Sequence, residues 1–327
     1  MYSLKLSEHG NPEEVCSHVE EPLPRIQANQ AHVKMLYSPI DPADINICQG
    51  KYPVDLPLPA TPGIEGVGTV IEASDPSGRI VPGQLVLNPG QIGHWCTERV
   101  TSCDTLVPVS DKLNHQQASM MISSLATPWL MLSTFTSLKQ GDWFIQNAAN
   151  SAVGRSAIQL AKAMGLHSVN IVRRTGLAAE LKHAGADHVL TEEEFDPRMI
   201  KDLCQGNQPR LALNGVGGES AGALAKSLGN SGTLVTYGGM SMKPLTVGTG
   251  QLIFKDLRFR GFWITAWYRH AQLTEITSML KQVESLVLEH SIQIPVEAAY
   301  SLTEHQQALR HAQQTSRSGK ILFNCQI

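Results

Sequence analysis

In the second half of the chain, short apolar runs alternate with longer stretches whose apolar residues recur every three to four positions. The runs at 143–146, 168–172, 188–190, 211–214, 233–237 and 257–262 have strand length, and the stretches at 151–164, 176–184, 197–204 and 220–228 have helical spacing. Strands that alternate with helices in this way build a parallel sheet covered on both faces. Six of them predict a doubly wound α/β sheet. Before about residue 113 the texture differs: short β-like runs at 32–37, 66–73, 85–87 and 105–109 are broken by Pro and Gly, which predicts a compact, barrel-like β domain. After Trp267 come a helix over 272–289, a strand over 296–300, a helix over 303–314 and a strand over 320–323. That tail is too small to fold alone, so it is expected to pack back on the first domain. The expected divisions are 1–117, 118–265 and 266–327.

The most informative local feature is the passage from the run Trp143–Phe144–Ile145–Gln146, through Asn147, Ala148, Ala149, Asn150 and Ser151, into an amphipathic stretch beginning Ala152–Val153–Gly154. A strand that turns through small residues into a helix seats a dinucleotide pyrophosphate on the helix N-terminus. The usual glycine-rich fingerprint appears here as Ala149-x-Ser151-x-x-Gly154, with only the last glycine kept. Ala149 is small enough for the tight turn, Ser151 lets backbone approach a phosphate, and Gly154 permits close helix–strand packing. A helix capped by Asn150 or Ser151 with no ligand accounts for the same residues. Asn147, Asn150, Ser151, Ala152, Val153 and Gly154 are the cofactor candidates here. The second strand of the sheet ends in Arg173–Arg174–Thr175 where an NAD enzyme places an acid for the ribose 2′-hydroxyl, and two guanidiniums suit a 2′-phosphate. NADPH is therefore the expected cofactor; a solvated surface pair is the other reading of the arginines. Tyr237, Gly238, Gly239 and Met240 follow an apolar strand at the carboxyl edge of the sheet, where ligands bind in open α/β folds.

Composition narrows the class. At 327 residues and 42% apolar content the chain can bury two cores. A formal charge of −3 without a long Lys/Arg run argues against nucleic acid or a membrane surface as a partner. No apolar run spans a bilayer, and the opening residues lack a secretory or transit pattern, so the expected location is cytoplasmic. Six scattered cysteines without paired spacing read as reduced, mostly structural thiols.

Pro62–Gly63–Ile64–Glu65–Gly66–Val67–Gly68–Thr69–Val70 resembles the P-G-H-E-x-x-G-x-V segment of the medium-chain dehydrogenase/reductase superfamily, and the resemblance extends over nearly the whole chain. It implies a Rossmann-type sheet inserted in a GroES-like β-rich catalytic domain. Ile64 replaces the histidine that ligates catalytic zinc in the zinc enzymes, and the matching upstream stretch, residues 39–46, contains no thiol. Too few ligands remain for a tetrahedral site, so no metal is expected. Cys48 and His94 could form a different site but read more readily as structural residues.

Within the zinc-free branch, residues 42–53, 145–154, 209–218, 236–240 and 253–263 resemble the trans-2-enoyl thioester reductases of fatty-acid metabolism. Ser124 and Thr127–Pro128–Trp129 depart from that pattern. The resemblance implies an NADPH-dependent reductase of enoyl thioesters of coenzyme A or acyl-carrier protein, with Tyr52 as the catalytic residue. A phenol can hydrogen-bond the enolate oxygen and donate a proton. Phe262, Trp263 and Ile264 fall at the family's position beside the nicotinamide and acyl pocket, and Lys320 is a further cofactor candidate. A homodimer joined through the strand at 257–262 is implied as well. Two alternatives stay open: a quinone or alkenal reductase on the same scaffold, and a nucleotide-binding structural or sensor protein without turnover.

Overall fold

A computed structural model describes residues 1–326, which form two compact units. The first comprises Met1–Ser123 with Thr265–Ile327, and the second Ser124–Ile264. Residues 118–123 and Thr265, expected in the nucleotide-binding domain, thus belong to the first unit. Local periodicity marks where helices begin, whereas unit membership follows from packing.

The first unit is built on a seven-stranded sheet. Its path runs Val296–Ser301, Lys320–Asn324, Gln30–Pro39, Val67–Ala73, Leu85–Leu87 and Val107–Val109, with Glu98–Ser102 also paired to the long strand Gln30–Pro39. The C-terminal segment therefore supplies two strands to a sheet begun near the N-terminus. Leu322 stands opposite Pro39 in the antiparallel pairing that joins them. Tyr2–Leu6 and Cys16–Glu20 form a separate antiparallel pair that the apolar pattern did not announce. The core contains Leu4, Leu6, Val33, Met35, Trp95, Leu302 and Phe323. Trp95 meets Phe323 edge-on at 5.2 Å, which ties the last strand to the loop before Glu98–Ser102.

The helix Pro42–Cys48 lies between the runs at 32–37 and 66–73, where the apolar pattern predicts no element. Pro42 is pre-set for the first helical position, and the Asp44 carboxylate accepts the Asp41 backbone N–H at 2.8 Å. Beyond it the chain turns at Gly50, whose φ of 67° favours glycine, and enters residues 51–59, which form no helix or strand.

The second unit is a six-stranded parallel sheet in the order His188–Thr191, His167–Val172, Trp143–Gln146, Leu211–Asn214, Thr233–Thr236, Arg258–Gly261. Numbered by sequence within this sheet, that is the doubly wound order 3-2-1-4-5-6. Every residue of Trp143–Gln146 and of Leu211–Asn214 is buried, because helices cover both faces of these central strands. The helix expected over 197–204 splits into a 3₁₀ turn, Pro197–Met199, and a short helix, Ile200–Leu203. Strand order reverses between Trp143–Gln146 and Leu211–Asn214, so the ends of these two strands define the crevice where such sheets take ligands.

Candidate functional site

Two asparagines occupy that reversal point. Asn147 Nδ2 donates to Asn214 Oδ1 at 2.9 Å and to Ser220 Oγ at 2.9 Å, while Asn147 Oδ1 accepts the Gly215 N–H at 2.7 Å. Asn214 Oδ1 also accepts the N–H groups of Val216 and Gly217, at 3.3 and 3.0 Å. Asn147 is thereby engaged in fixing the loop after Leu211–Asn214 and forms the crevice floor. Gly217 and Gly218, with φ of 82° and 58°, turn that loop back.

On the other side of the crevice, Ser151 caps the helix Ala152–Ala163, its Oγ accepting the Gly154 N–H at 3.1 Å. Ala152 and Val153 open the helix, so their N–H groups have no helical acceptor and carry its positive pole. A Cβ on Gly154 would lie 2.6 Å from the Ala149 carbonyl oxygen, which explains why this glycine of the fingerprint alone is retained. Opposite, a Cβ on Gly238 would lie 2.9 Å from the Gly215 oxygen, whereas one on Gly239 would meet nothing within 4 Å. The Gly238–Gly239 backbone thus packs on one side and faces open space on the other. The Tyr237 hydroxyl is buried; burial pushes the phenol up to about 12, against a smaller opposing pull from the Ser151 hydroxyl, so it stays protonated at neutral pH. Met240 is exposed, and its N–H donates to the Gly215 oxygen at 3.1 Å. This cradle of helix pole, flush glycines and hydroxyls fits a dinucleotide pyrophosphate.

Arg173 is exposed at the carboxyl end of His167–Val172, Arg174 is half-buried beside it, and Thr175 is exposed. Phe262 follows the edge strand: its N–H donates to the Thr236 oxygen at 2.9 Å, and its ring packs edge-on against Phe135 at 5.5 Å. Trp263 is half-buried, and Ile264 is the buried last residue of this unit.

The first unit carries the remaining candidates. Tyr52 is half-buried in the irregular segment after Gly50, and its carbonyl accepts the Val54 N–H at 2.8 Å. Lys320, a cofactor candidate by resemblance, is no surface lysine. It is buried, its ammonium hydrogen-bonded to Asp41 and 3.8 Å from Glu65. Three carboxyl groups converge here. Asp44 accepts the Ile64 N–H at 2.9 Å, and Glu65 accepts the Ser123 N–H at 2.6 Å. Burial and the neighbouring Asp41 carboxylate hold both Asp44 and Glu65 well above the usual carboxylate range, while the Lys320 ammonium pulls them back. Nearby, the buried Tyr268 hydroxyl donates to the Ile122 oxygen at 2.7 Å. The sequence signal for this cluster was present, as acidic residues in otherwise apolar, Pro- and Gly-rich segments, but no spacing rule joins residues 41, 44, 65 and 320.

Cys48 lies 3.7 Å, sulfur to sulfur, from Cys16, and His94 Nδ1 is 2.9 Å from the Gly63 oxygen. Burial, with the Arg99 charge, lowers the His94 pKa to about 3, so its ring is neutral. Among the described residues no group of three or more His, Cys, Asp or Glu side chains is arranged to hold a metal ion.

A β-rich unit interrupted by a doubly wound nucleotide-binding unit defines the medium-chain dehydrogenase/reductase class. Residues 27–117 match the alcohol dehydrogenase GroES-like domain family, and residues 152–282 the zinc-binding dehydrogenase family. The chain belongs to this superfamily, and within it to the enoyl thioester reductase family. It is 39% identical over 314 residues to the mitochondrial enoyl-[acyl-carrier-protein] reductase of Rattus norvegicus, covering 94% of this chain and 84% of that protein. Among solved structures, the complex of Etr1p with NADP and crotonyl-CoA superposes with a TM-score of 0.88 at 30% identity, over 99% of each chain. The mitochondrial Etr1p/Etr2p heterodimer from Candida tropicalis gives 0.87 at 30%, again over 99% of each. A Bacillus thuringiensis protein described as a putative NADPH:quinone reductase gives 0.90 at 25%, over 99% of this chain and 98% of that one. These relatives correct the cytoplasmic placement: the curated enzymes that match almost the whole chain are mitochondrial.

Proposed function

We propose that this protein is an NADPH-dependent reductase of trans-2-enoyl thioesters. The observation that carries the reading is its similarity, over nearly its full length, to enoyl reductases, one of them solved with NADP and crotonyl-CoA. The crevice at the strand ends, floored by the hydrogen-bonded Asn147 and Asn214, would hold the pyrophosphate on the pole of Ala152–Ala163, and Arg173 and Arg174 would take the 2′-phosphate. Bound NADPH supplies the hydride. The reduction adds that hydride at Cβ and a proton at Cα, converting the conjugated double bond to a single bond, with transient negative charge on the thioester oxygen. Tyr52 donates a hydrogen bond to that oxygen and serves as the proton source. No step requires a metal, in keeping with Ile64 at the position of the zinc histidine.

Acyl groups carried on acyl-carrier protein, within fatty-acid metabolism, are the proposed physiological substrates alongside coenzyme A thioesters. A homodimer is proposed through the free edge of Arg258–Gly261. Among the described residues that strand pairs only with Thr233–Thr236, and so it presents an unpaired backbone edge. Beside it the helix Thr249–Lys255 exposes Ile253 and Phe254, at 67% and 83%, an apolar surface of the kind that marks a protein interface.

NADPH oxidation measured in parallel with crotonyl-CoA, a longer trans-2-enoyl-CoA and a quinone tests the reading. The enoyl thioesters should be the better substrates. A kcat/KM higher for the quinone would favour the second reading, which the similarity to the quinone reductase supports.

A further inference from the structure

Arg155 follows directly on Gly154, the last residue of the fingerprint. It stands in the first turn of Ala152–Ala163, yet its side chain is only 5% exposed. Its Nε donates to the Asn150 carbonyl at 3.0 Å, inside the phosphate-binding turn, and its Nη1 lies 2.5 Å from Glu180 Oε1. Glu180 sits in the first turn of Ala178–His183, the helix entered directly from the Arg173–Arg174–Thr175 segment. The two segments share a floor: the Ala149 N–H donates to the Ile171 oxygen at 3.2 Å, and Ala149, Ile158, Val172 and Leu181 form one buried cluster. One guanidinium thus braces the pyrophosphate turn with one nitrogen and holds a carboxylate of the 2′-phosphate side with another, a division a planar fork can make.

An acid close to the end of this strand is what selects NADH in dinucleotide folds, since it accepts the ribose 2′-hydroxyl and repels a phosphate there. Glu180 is such an acid, displaced onto the following helix. We propose that Arg155 is a specificity-determining residue: it neutralises Glu180, so that Arg173 and Arg174 act on the 2′-phosphate without an opposing charge. The proposal rests on the NADPH reading above. Arg155 is buried while the Glu180 side chain is 46% exposed, so solvent and salt screen the pairing in part.

The test is direct binding of NADPH and of NADH to the full chain, followed by nicotinamide fluorescence without substrate, with thermal unfolding as a check on folding. Arg155→Gln should weaken NADPH roughly three- to tenfold more than NADH, the scale expected for one partly screened charge, on top of any equal loss from the unbraced turn. Arg155→Lys, which keeps the charge, should retain most of the preference. Glu180→Gln, which removes the acid without touching the turn, should raise the NADPH:NADH preference, and the double variant Arg155→Gln/Glu180→Gln should recover most of what Arg155→Gln loses. A purely structural brace predicts equal losses for both cofactors and no recovery in the double variant; either result overturns the assignment, as does a Glu180→Gln variant with unchanged preference. Wild-type protein that binds both cofactors equally overturns the NADPH reading itself, and this assignment with it. A wild-type preference that survives intact in Arg155→Gln overturns this assignment alone.

Discussion

Replacing Lys320 with Met removes the one ammonium among three buried carboxyl groups while keeping the volume of the stem. Side-chain exposure is 7% at Lys320, 9% at Asp41 and 0% at Glu65, so water cannot take over the lost role. At the 3.8 Å that separates Lys320 from Glu65, the gross attraction is roughly 4 kcal/mol at an effective dielectric of about 20. The contact to Asp41 is closer still. Removing one partner of a buried pair costs about 3–5 kcal/mol, against at most about 1 kcal/mol for an exposed pair such as Arg198–Asp196. The loss depends on pH in a definite sense. Burial holds Asp44 and Glu65 above the usual range and Lys320 pulls them down, so the variant raises both further. A carboxyl group whose pKa is raised in the folded state binds protons on folding, and its stabilising effect is complete below the unfolded value of about 4 and lost as pH rises. The penalty should therefore be largest at neutral pH and shrink toward pH 5. Urea unfolding at both pH values, followed by tryptophan fluorescence, measures it, and Lys320→Met/Asp41→Leu should recover part of the loss by removing an unpaired charge. A penalty below about 1 kcal/mol at pH 7, or one that grows on acidification, would refute the reasoning.

Tyr52→Phe should leave NADPH binding intact and lower kcat for enoyl thioesters roughly a hundred- to a thousand-fold, as for loss of an oxyanion donor; a wild-type rate would reduce Tyr52 to a packing residue. Replacing both Arg173 and Arg174 with Ala should weaken NADPH more than tenfold, on the order of 1.5–3 kcal/mol, with NADH nearly unaffected; equal losses would place the 2′-phosphate elsewhere. Exhaustive chelation should leave enoyl reduction unchanged, and stoichiometric zinc whose removal abolishes turnover would end the metal-free reading. Ile253→Glu/Phe254→Glu should convert a dimer to a monomer in light scattering, and an unchanged mass would remove this face from the interface.

The strands Trp143–Gln146 and Leu211–Asn214 were legible because central parallel strands are buried on both faces, which makes them continuous apolar runs. The helix after Ser151 was legible because its cap and period are local properties. Elements with weaker local signals were not. Tyr2–Leu6 and Cys16–Glu20 gain their strand geometry by pairing with each other, and Pro42–Cys48 becomes a helix through a cap that depends on Asp44 accepting the Asp41 N–H.

By itself, then, the sequence determined the alternation of strand and helix, the position of the turn from Trp143–Gln146 into Ala152–Ala163 and the basic end of the second strand, since each lies within a few neighbouring residues. Only the tertiary structure decided that Lys320 faces Asp41 and Glu65, that Asn147 reaches across the sheet to Asn214, and that Arg155 meets Glu180. Those pairs lie 279, 67 and 25 residues apart for Lys320–Asp41, Asn147–Asn214 and Arg155–Glu180. A polar side chain's role is fixed by the charge or hydrogen-bond partner it meets after burial, and at such separations the partner is chosen by the packing of whole strands and helices rather than by anything written beside it in the chain.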